Sequence, residues 1–321
     1  NLDASRKMGR TFEVEYPDPD VQGFNPCAEQ SLANFETCCL AEIYLPNIEH
    51  YEELKKVARY LYRINKHSLS IKCAIKETED IVHKNMRMGI GVTGYLQATE
   101  EQRSWLNECY SYLRSYDKEY SRLAGFPASI KLTTVKPSGT LSLLAGVTPG
   151  AHPGYSQHYI RRVRMAVDSD LALTARQHGY PVEFVLNFDG TEDKSTVVVS
   201  FPCKFPEHTK FAEDMTAIDQ LEVIKRLQAE WSDNAVSVTI YYRLEELGKI
   251  KDWLSKNYKN VKSVSFLLHS DHGFKQAPLE EIDEKTYLEM SSTVTPINSI
   301  EELTIDEVEI DDCETGACPV R

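Results

Sequence analysis

Residues Asn25–Glu42 read NPCAEQSLANFETCCLAE. An amide (Asn25), a thiol (Cys27) and a carboxylate (Glu29) stand at alternate positions, and two more thiols, Cys38 and Cys39, follow 11 and 12 residues after the first. In an extended loop, alternation sets the first three side chains on one side. Such a trio can act on a single substrate carbon. The thiol acts on the carbon, the carboxylate takes a proton from an attached hydroxyl, and the amide orients that hydroxyl by hydrogen bonds. The pattern is short, and a buried cysteine beside a turn would satisfy it equally, so further signals have to decide. Adjacent cysteines rarely bond one another because the geometry is strained. One of Cys38 and Cys39 is therefore expected to face a cavity while the other packs. A structural zinc site would show two close-spaced ligand pairs. The sequence has no C-x-x-C, and His269 and His272 read as surface-loop residues, so no metal site is expected.

Outward from this stretch, strand-like and helix-like segments alternate. CLAEIYLP reads as a strand, Glu49 to Ser68 as a helix with apolar residues at helical spacing, and about Ile75 to Met86 as a shorter helix. Glu100 to Leu123 is a long helix that Gly125 ends. SIKLTTV is a strand, and KPSGTLSLLAG turns into a short helix. YIRRVRMAV alternates like a strand, Asp170 to His178 is helical, and STVVVSFP is a β-branched run suited to a buried strand. Ala217 to Trp231, AVSVTIYY, Leu244 to Tyr258 and VKSVSFLL continue as helix, strand, helix, strand. This predicts an α/β fold with mainly parallel strands. GIGVTG (Gly89–Gly94) satisfies G-x-G-x-x-G but follows a charged helical stretch rather than a strand. It is read as tight backbone packing, not as a dinucleotide loop.

The PSGT segment has a physical reading of its own. A strand ends, Pro137 stops pairing, Gly139 allows close backbone approach, and Ser138, Gly139 and Thr140 present N–H groups at a helix start, which is an anion site. An ordinary turn capped by Ser or Thr fits the tetrapeptide as well.

The chain has 321 residues, 41% hydrophobic and 26% charged, a globular profile. No apolar run approaches the length of a membrane span, and the first residues lack the apolar core of a secretion signal. With eight cysteines and no such signal, a cytoplasmic location is expected, with thiols that are catalytic or redox-active rather than structural. The net charge is −13, and residues 277–321 hold thirteen Asp/Glu against two Lys/Arg. The acidity is thus concentrated at the end, which disfavours nucleic-acid binding and leaves a near-neutral body suited to a small-molecule site. The expected division is a body over 1–294 and an acidic, flexible tail over 295–321. Within the tail, DDCETGACPVR carries Cys313 and Cys318. A dithiol on a solvated arm suits delivery of electrons to a buried disulfide by exchange.

Together NPCAEQ…CCLAEI, KPSGTLSLLAGVTPG, YIRRVRM and the C-x4-C end resemble the ribonucleotide reductases. They look most like the monomeric, adenosylcobalamin-dependent (class II) ribonucleoside-triphosphate reductases. The resemblance runs across essentially the whole chain but covers roughly the C-terminal half of a typical member. It implies the C-terminal half of a ten-stranded α/β barrel with a central finger loop. It also implies adenosylcobalamin as cofactor and radical reduction of a ribonucleotide substrate, with triphosphates favoured. Cys27 matches the residue that becomes a thiyl radical, Glu29 the carboxylate that deprotonates the 3′-hydroxyl, and Asn25 the amide that binds substrate. Cys38 rather than Cys39 matches one of the two reducing cysteines, and the other lies upstream of residue 1. Cys313 and Cys318 match the shuttle pair that thioredoxin or a similar dithiol re-reduces. Ser138, Gly139 and Thr140 match the loop that holds the substrate phosphates. The implied partner is an N-terminal reductase half on another chain, and neither nucleic acid nor membrane is expected as a partner. A glycyl-radical enzyme is a rival, although the tail lacks the R-V-x-G-Y-type glycine loop which that family requires. A non-catalytic dithiol or metal-binding module is another.

Overall fold

The computed structural model describes residues 1–11, 17–187, 189–207, 209–269 and 276–297. In chain order the elements are α1 (Leu2–Lys7), β1 (Gly23–Phe24), β2 (Ser31–Leu32), β3 (Leu40–Tyr44), α2 (Tyr51–Ser68), α3 (Lys76–Asn85), β4 (Gly89–Thr93), α4 (Glu100–Ala124), α5 (Leu141–Leu144) and β5 (His158–Ala166). They continue with α6 (Asp170–Gln177), β6 (Val182–Leu186), β7 (Glu192–Lys204), α7 (Ala217–Glu230), β8 (Thr239–Tyr242), α8 (Leu247–Asn257), β9 (Ser265–Leu268), β10 (Leu279–Glu281) and α9 (Glu284–Thr293). The chain divides into two compact units: Asn1–Gln157 with Phe205–Asp271, and His158–Lys204 with His272–Arg321. The sequence reading, one body over 1–294, draws no boundary at 158 or 204. Most of the tail over 295–321 lies outside the described residues.

The first unit is built on parallel lanes. β3 pairs with β4 from Leu40↔Gly89 to Tyr44↔Thr93. On the other side of β4, the Ile90 N–H donates to the Leu132 carbonyl (2.8 Å) and the Thr134 N–H to the Ile90 carbonyl (3.1 Å). Residues 131–135 in turn bridge in parallel to Val236 through Val135. That strand runs on into β8, which pairs in parallel with β9. Five segments thus lie side by side in one direction among the described residues. Helices connect successive lanes, as parallel pairing demands: α2 and α3, then α4, later α7, and finally α8.

Local chemistry explains the helix limits. Thr99 and Gln102 form a capping box that starts α4, and Gly125, in the left-handed region at φ 75°, ends it. Thr216 and Asp219 do the same at the start of α7. Their inner faces bury Leu106, Leu113, Leu221 and Ile224 with Leu54 and Tyr62 of α2, Ile90 and Val92 of β4, and Trp231. Each such side chain contributes about 1.5–3 kcal/mol. GIGVTG is strand β4 and the turn after it. A Cβ on Gly89 would stand 2.7 Å from Leu40 Cδ2 and 2.9 Å from Thr134 Cγ2, so the glycine serves lane contact, as the sequence suggests.

The second unit departs from the mainly parallel expectation. Its sheet, in the order β10-β5-β7-β6, is antiparallel throughout. STVVVSFP, read as a buried strand of the parallel kind, is the middle of β7. Val197, Val198 and Val199 are all buried, which removes the alternation that marks most antiparallel strands. Burial on both faces is compatible with either direction, so the run alone does not set it.

Candidate active site

Asn25–Gln30 is the tip of a hairpin whose stem is only two residue pairs, Gly23↔Leu32 and Phe24↔Ser31. The tip is a tight turn, not the extended loop expected from alternation. The Asn25 N–H donates to the Gln30 carbonyl (3.1 Å), the Ala28 N–H to the Asn25 carbonyl (2.8 Å), and Ala28 adopts φ 60°. The Asn25 side-chain oxygen accepts from the Gln30 N–H at 3.0 Å, which leaves the Nδ2 end as the donor that can reach a ligand. Two parallel lanes hold the tip. The Glu29 carbonyl accepts from Thr134 Oγ1 (2.6 Å) and the Ala235 N–H (2.9 Å), and the Cys27 carbonyl accepts from Ser237 Oγ (2.5 Å).

This anchoring gives the two candidate side chains, Cys27 and Glu29, different settings. Cys27 is exposed. Glu29 is 3% exposed, and its Oε2 has no hydrogen-bond partner. A buried carboxylate oxygen without a donor is costly in a finished core. It suits a group that accepts a proton from a bound molecule. Partial burial raises the Cys27 pKa above the ordinary 9.0, and the nearby Glu29 and Cys38 raise it further, while Lys136 acts the other way. The coupling brings Cys27, Glu29, Cys38 and Lys136 into one electrostatic neighbourhood.

The vicinal cysteines sit in opposite settings. Cys38 is exposed. Cys39 packs against the hydrophobic core, donates its S–H to the Asn65 carbonyl (3.8 Å), and is pushed up to about 11, first by burial and then by Cys38. Consecutive residues at a strand entry point to opposite sides, so only one can face the hairpin tip.

At the PSGT turn the left-handed residue is Ser138 (φ 53°), not Gly139. A Cβ on Gly139 would meet nothing within 4 Å, so the space over it is open. Ser138 is held by Glu42 of β3: its Oγ donates to Glu42 Oε1 at 2.7 Å. Lys136 Nζ lies 2.7 Å from Glu42 Oε2, and both side chains are largely buried. Thr140 is the residue before α5, which is a single turn. Glu42 and Lys136 stand inside the CCLAEI and KPSGT motifs, and no role is expected of them from sequence. Their positions, four residues after Cys38 and two before Ser138, were the available signal.

Cys313, Cys318 and His272 lie outside the described residues. His269 contacts the Tyr241 ring. Cys109 is buried in the core and Cys203 sits near the end of β7. No group of three or more His, Cys, Asp or Glu that could hold a metal ion occurs among the described residues. No helix among them is long and apolar enough to cross a membrane.

No family model matches the chain. Individual proteins do. The chain is 33% identical, over all of its length, to a probable adenosylcobalamin-dependent ribonucleoside-triphosphate reductase of Dictyostelium discoideum, covering 43% of that protein. It is 35% identical over 99% of its length to the adenosylcobalamin-dependent ribonucleoside-triphosphate reductase of Euglena gracilis, covering 44% of it. The crystal structure of a B12-dependent (class II) ribonucleotide reductase superposes on 94% of this chain with a TM-score of 0.81 at 29% identity. This chain is a relative of the adenosylcobalamin-dependent ribonucleotide reductases. It spans less than half the length of these two curated reductases, and 46% of the crystallised one. The α subunit of the class Id reductase of Actinobacillus ureae shares the fold alone, with a TM-score of 0.51 at 14% identity.

Proposed function

We propose that this chain carries the thiol-radical and reducing centre of a ribonucleotide reductase that converts ribonucleoside triphosphates to 2′-deoxyribonucleotides, acting with an N-terminal half supplied separately. The observation that carries this reading is the exposed Cys27 two residues from the buried, unpartnered Glu29 on the hairpin tip, with Cys38 near enough to raise the Cys27 pKa. The relatives' names support the substrate and cofactor. In this reading the tip is the finger loop, and the five parallel lanes are half of a ten-stranded barrel.

Adenosylcobalamin, when bound, would supply the oxidising equivalent that removes one hydrogen atom from a thiol. The residue through which it would act is Cys27, and the fit is good on two counts. The sulfur is exposed, and its raised pKa keeps the hydrogen on it at neutral pH. Cys27, as a thiyl radical, takes the hydrogen from C3′ of the ribose. Glu29 accepts the proton of the 3′-hydroxyl on its unpartnered oxygen. Asn25 Nδ2 donates to the same sugar. The 2′-hydroxyl leaves as water. Cys38 and a second cysteine, carried upstream of this chain, supply two electrons and two protons and become a disulfide. Glu29 returns its proton to the 3′-oxygen, and Cys27 returns its hydrogen to C3′. Cys313 and Cys318 then reduce the disulfide by exchange and are themselves reduced by thioredoxin or a similar dithiol. Ser138, Gly139 and Thr140 hold the phosphates over the open face at Gly139.

The test is Cys27→Ser in the reconstituted enzyme. Exchange of hydrogen between the cofactor 5′ carbon and solvent should vanish. Persistent exchange would show that another group carries the hydrogen.

A further inference from the structure

Beneath the hairpin lies a buried set of four charges that the proposed chemistry does not use. Asp18 precedes β1 and Glu36 follows β2, so the two carboxylates stand on the two arms of the hairpin segment. The two cations stand on the lanes: Arg87 just before β4, and Lys131 at the start of residues 131–135. All four are buried, none more than 8% exposed. Arg87 grips Asp18 with both terminal nitrogens, Nη1 to Oδ2 at 2.5 Å and Nη2 to Oδ1 at 2.9 Å. Its Nε lies 3.0 Å from Glu36 Oε1. Lys131 Nζ lies 2.8 Å from Asp18 Oδ2 and donates to Ser31 Oγ and the Ser5 carbonyl, each at 2.8 Å. Glu36 Oε2 accepts from the Ala33 N–H at 2.7 Å, closing the turn after β2.

Stability alone does not call for this arrangement. Desolvating ions is expensive, and apolar replacements of similar volume are often neutral or stabilising. What directed charge pairs supply is a single register. The hairpin stem needs one from outside, because two residue pairs are far below an ordinary strand length of about 5–6. A slip of one residue would move the tip about 3.3 Å and turn its side chains over.

We propose that Asp18, Arg87, Glu36 and Lys131 are positioning residues that set the register of the hairpin, and through it the placement of the Cys27 sulfur. The proposal rests on reading Cys27 as the hydrogen carrier. Hydrogen transfer needs reacting atoms about 3–3.5 Å apart, and a misplacement of 1 Å can cost about 100-fold in rate.

The experiment compares two variants in the complete reductase. Asp18→Leu with Lys131→Met is charge-neutral and leaves Arg87 paired with Glu36. Arg87 loses both Asp18 acceptors, so the melting midpoint should fall, but well below that midpoint the nucleotide KM should stay within about twofold while kcat falls about tenfold or more. The rate at which iodoacetamide labels Cys27 should change with it. Ser31→Ala removes only the hydroxyl that accepts from Lys131 and, at 3.5 Å, from Arg87, and serves if the double variant does not fold. It should lower kcat about threefold or more, again at constant KM. A folded variant of either kind that keeps the wild-type kcat overturns the proposal. Cys27→Ser is the separate control: turnover surviving in it would remove the functional reading, and this proposal with it.

Discussion

Glu29→Gln separates the effect of Glu29 on the neighbouring thiol, whose pKa it raises, from the proton acceptance proposed for it. Burial is the largest cause holding Cys27 above 9.0, and the Glu29 charge comes next. At pH 7.5 a thiol with its ordinary value is about 3% thiolate, so Cys27 lies below that fraction. Iodoacetamide reacts through the thiolate. Removing the carboxylate charge should therefore speed alkylation of Cys27. An exposed sulfur is well screened, which limits the gain to about fivefold. The same substitution removes the proposed proton acceptor, and turnover should fall about 100- to 10,000-fold. The two readouts move in opposite directions, and because loss of burial would also free the thiol, the melting midpoint of the variant should stay at that of the wild type. The assay is alkylation at pH 7.5, followed by mass spectrometry of the Cys27 peptide, beside deoxynucleotide formation. The pH profile adds a sign. A hydrogen carrier works as the thiol, so turnover should not be lost through ionisation of Cys27 below pH 9 and should decline above it, and the decline in alkylation-competent protection should begin earlier in the variant. Unchanged or slower alkylation, or turnover within about threefold of the wild type, would refute the reasoning.

The remaining expectations concern other parts of the first unit. Cys38→Ala should abolish turnover while changing stability by no more than about 0.5 kcal/mol, because the side chain is exposed. Cys39→Ala should keep turnover and lose about 1 kcal/mol on urea unfolding, because that sulfur packs on the core; the reverse pattern would exchange their roles. Gly150→Ala should lower the melting midpoint and weaken nucleotide binding, since Gly150 adopts φ 54° and a Cβ would stand 2.1 Å from the Lys136 carbonyl oxygen. An unchanged midpoint and KM would count against the tight seat of the 136–140 turn. Burial pushes Cys109 up from 9.0 to about 12. Above pH 9 the unfolded thiol ionises while the folded one keeps its proton, so stability should fall as pH rises, by about 1.4 kcal/mol per pH unit from this group. Urea unfolding across pH 8–11 should show that slope reduced in Cys109→Ala.

Much of the local structure was legible in the sequence. Apolar spacing and the stop at Gly125 marked α4 almost to the residue, and the run before GIGVTG read correctly as helix α3. These signals are short-range, because a helix turn or a left-handed stop depends on residues three or four apart. The family motifs were legible for the same reason: each is a contiguous string. Tertiary structure alone decided how those strings face one another. The direction of β7, the tight turn at the hairpin tip, and the opposite settings of Cys38 and Cys39 all depend on what packs against them. Glu42 reaches Ser138 across 96 positions, and Arg87 reaches Asp18 across 69. Charge pairing and strand direction are settled by partners that chain closure brings together from afar, and no local pattern of residues encodes which partner arrives.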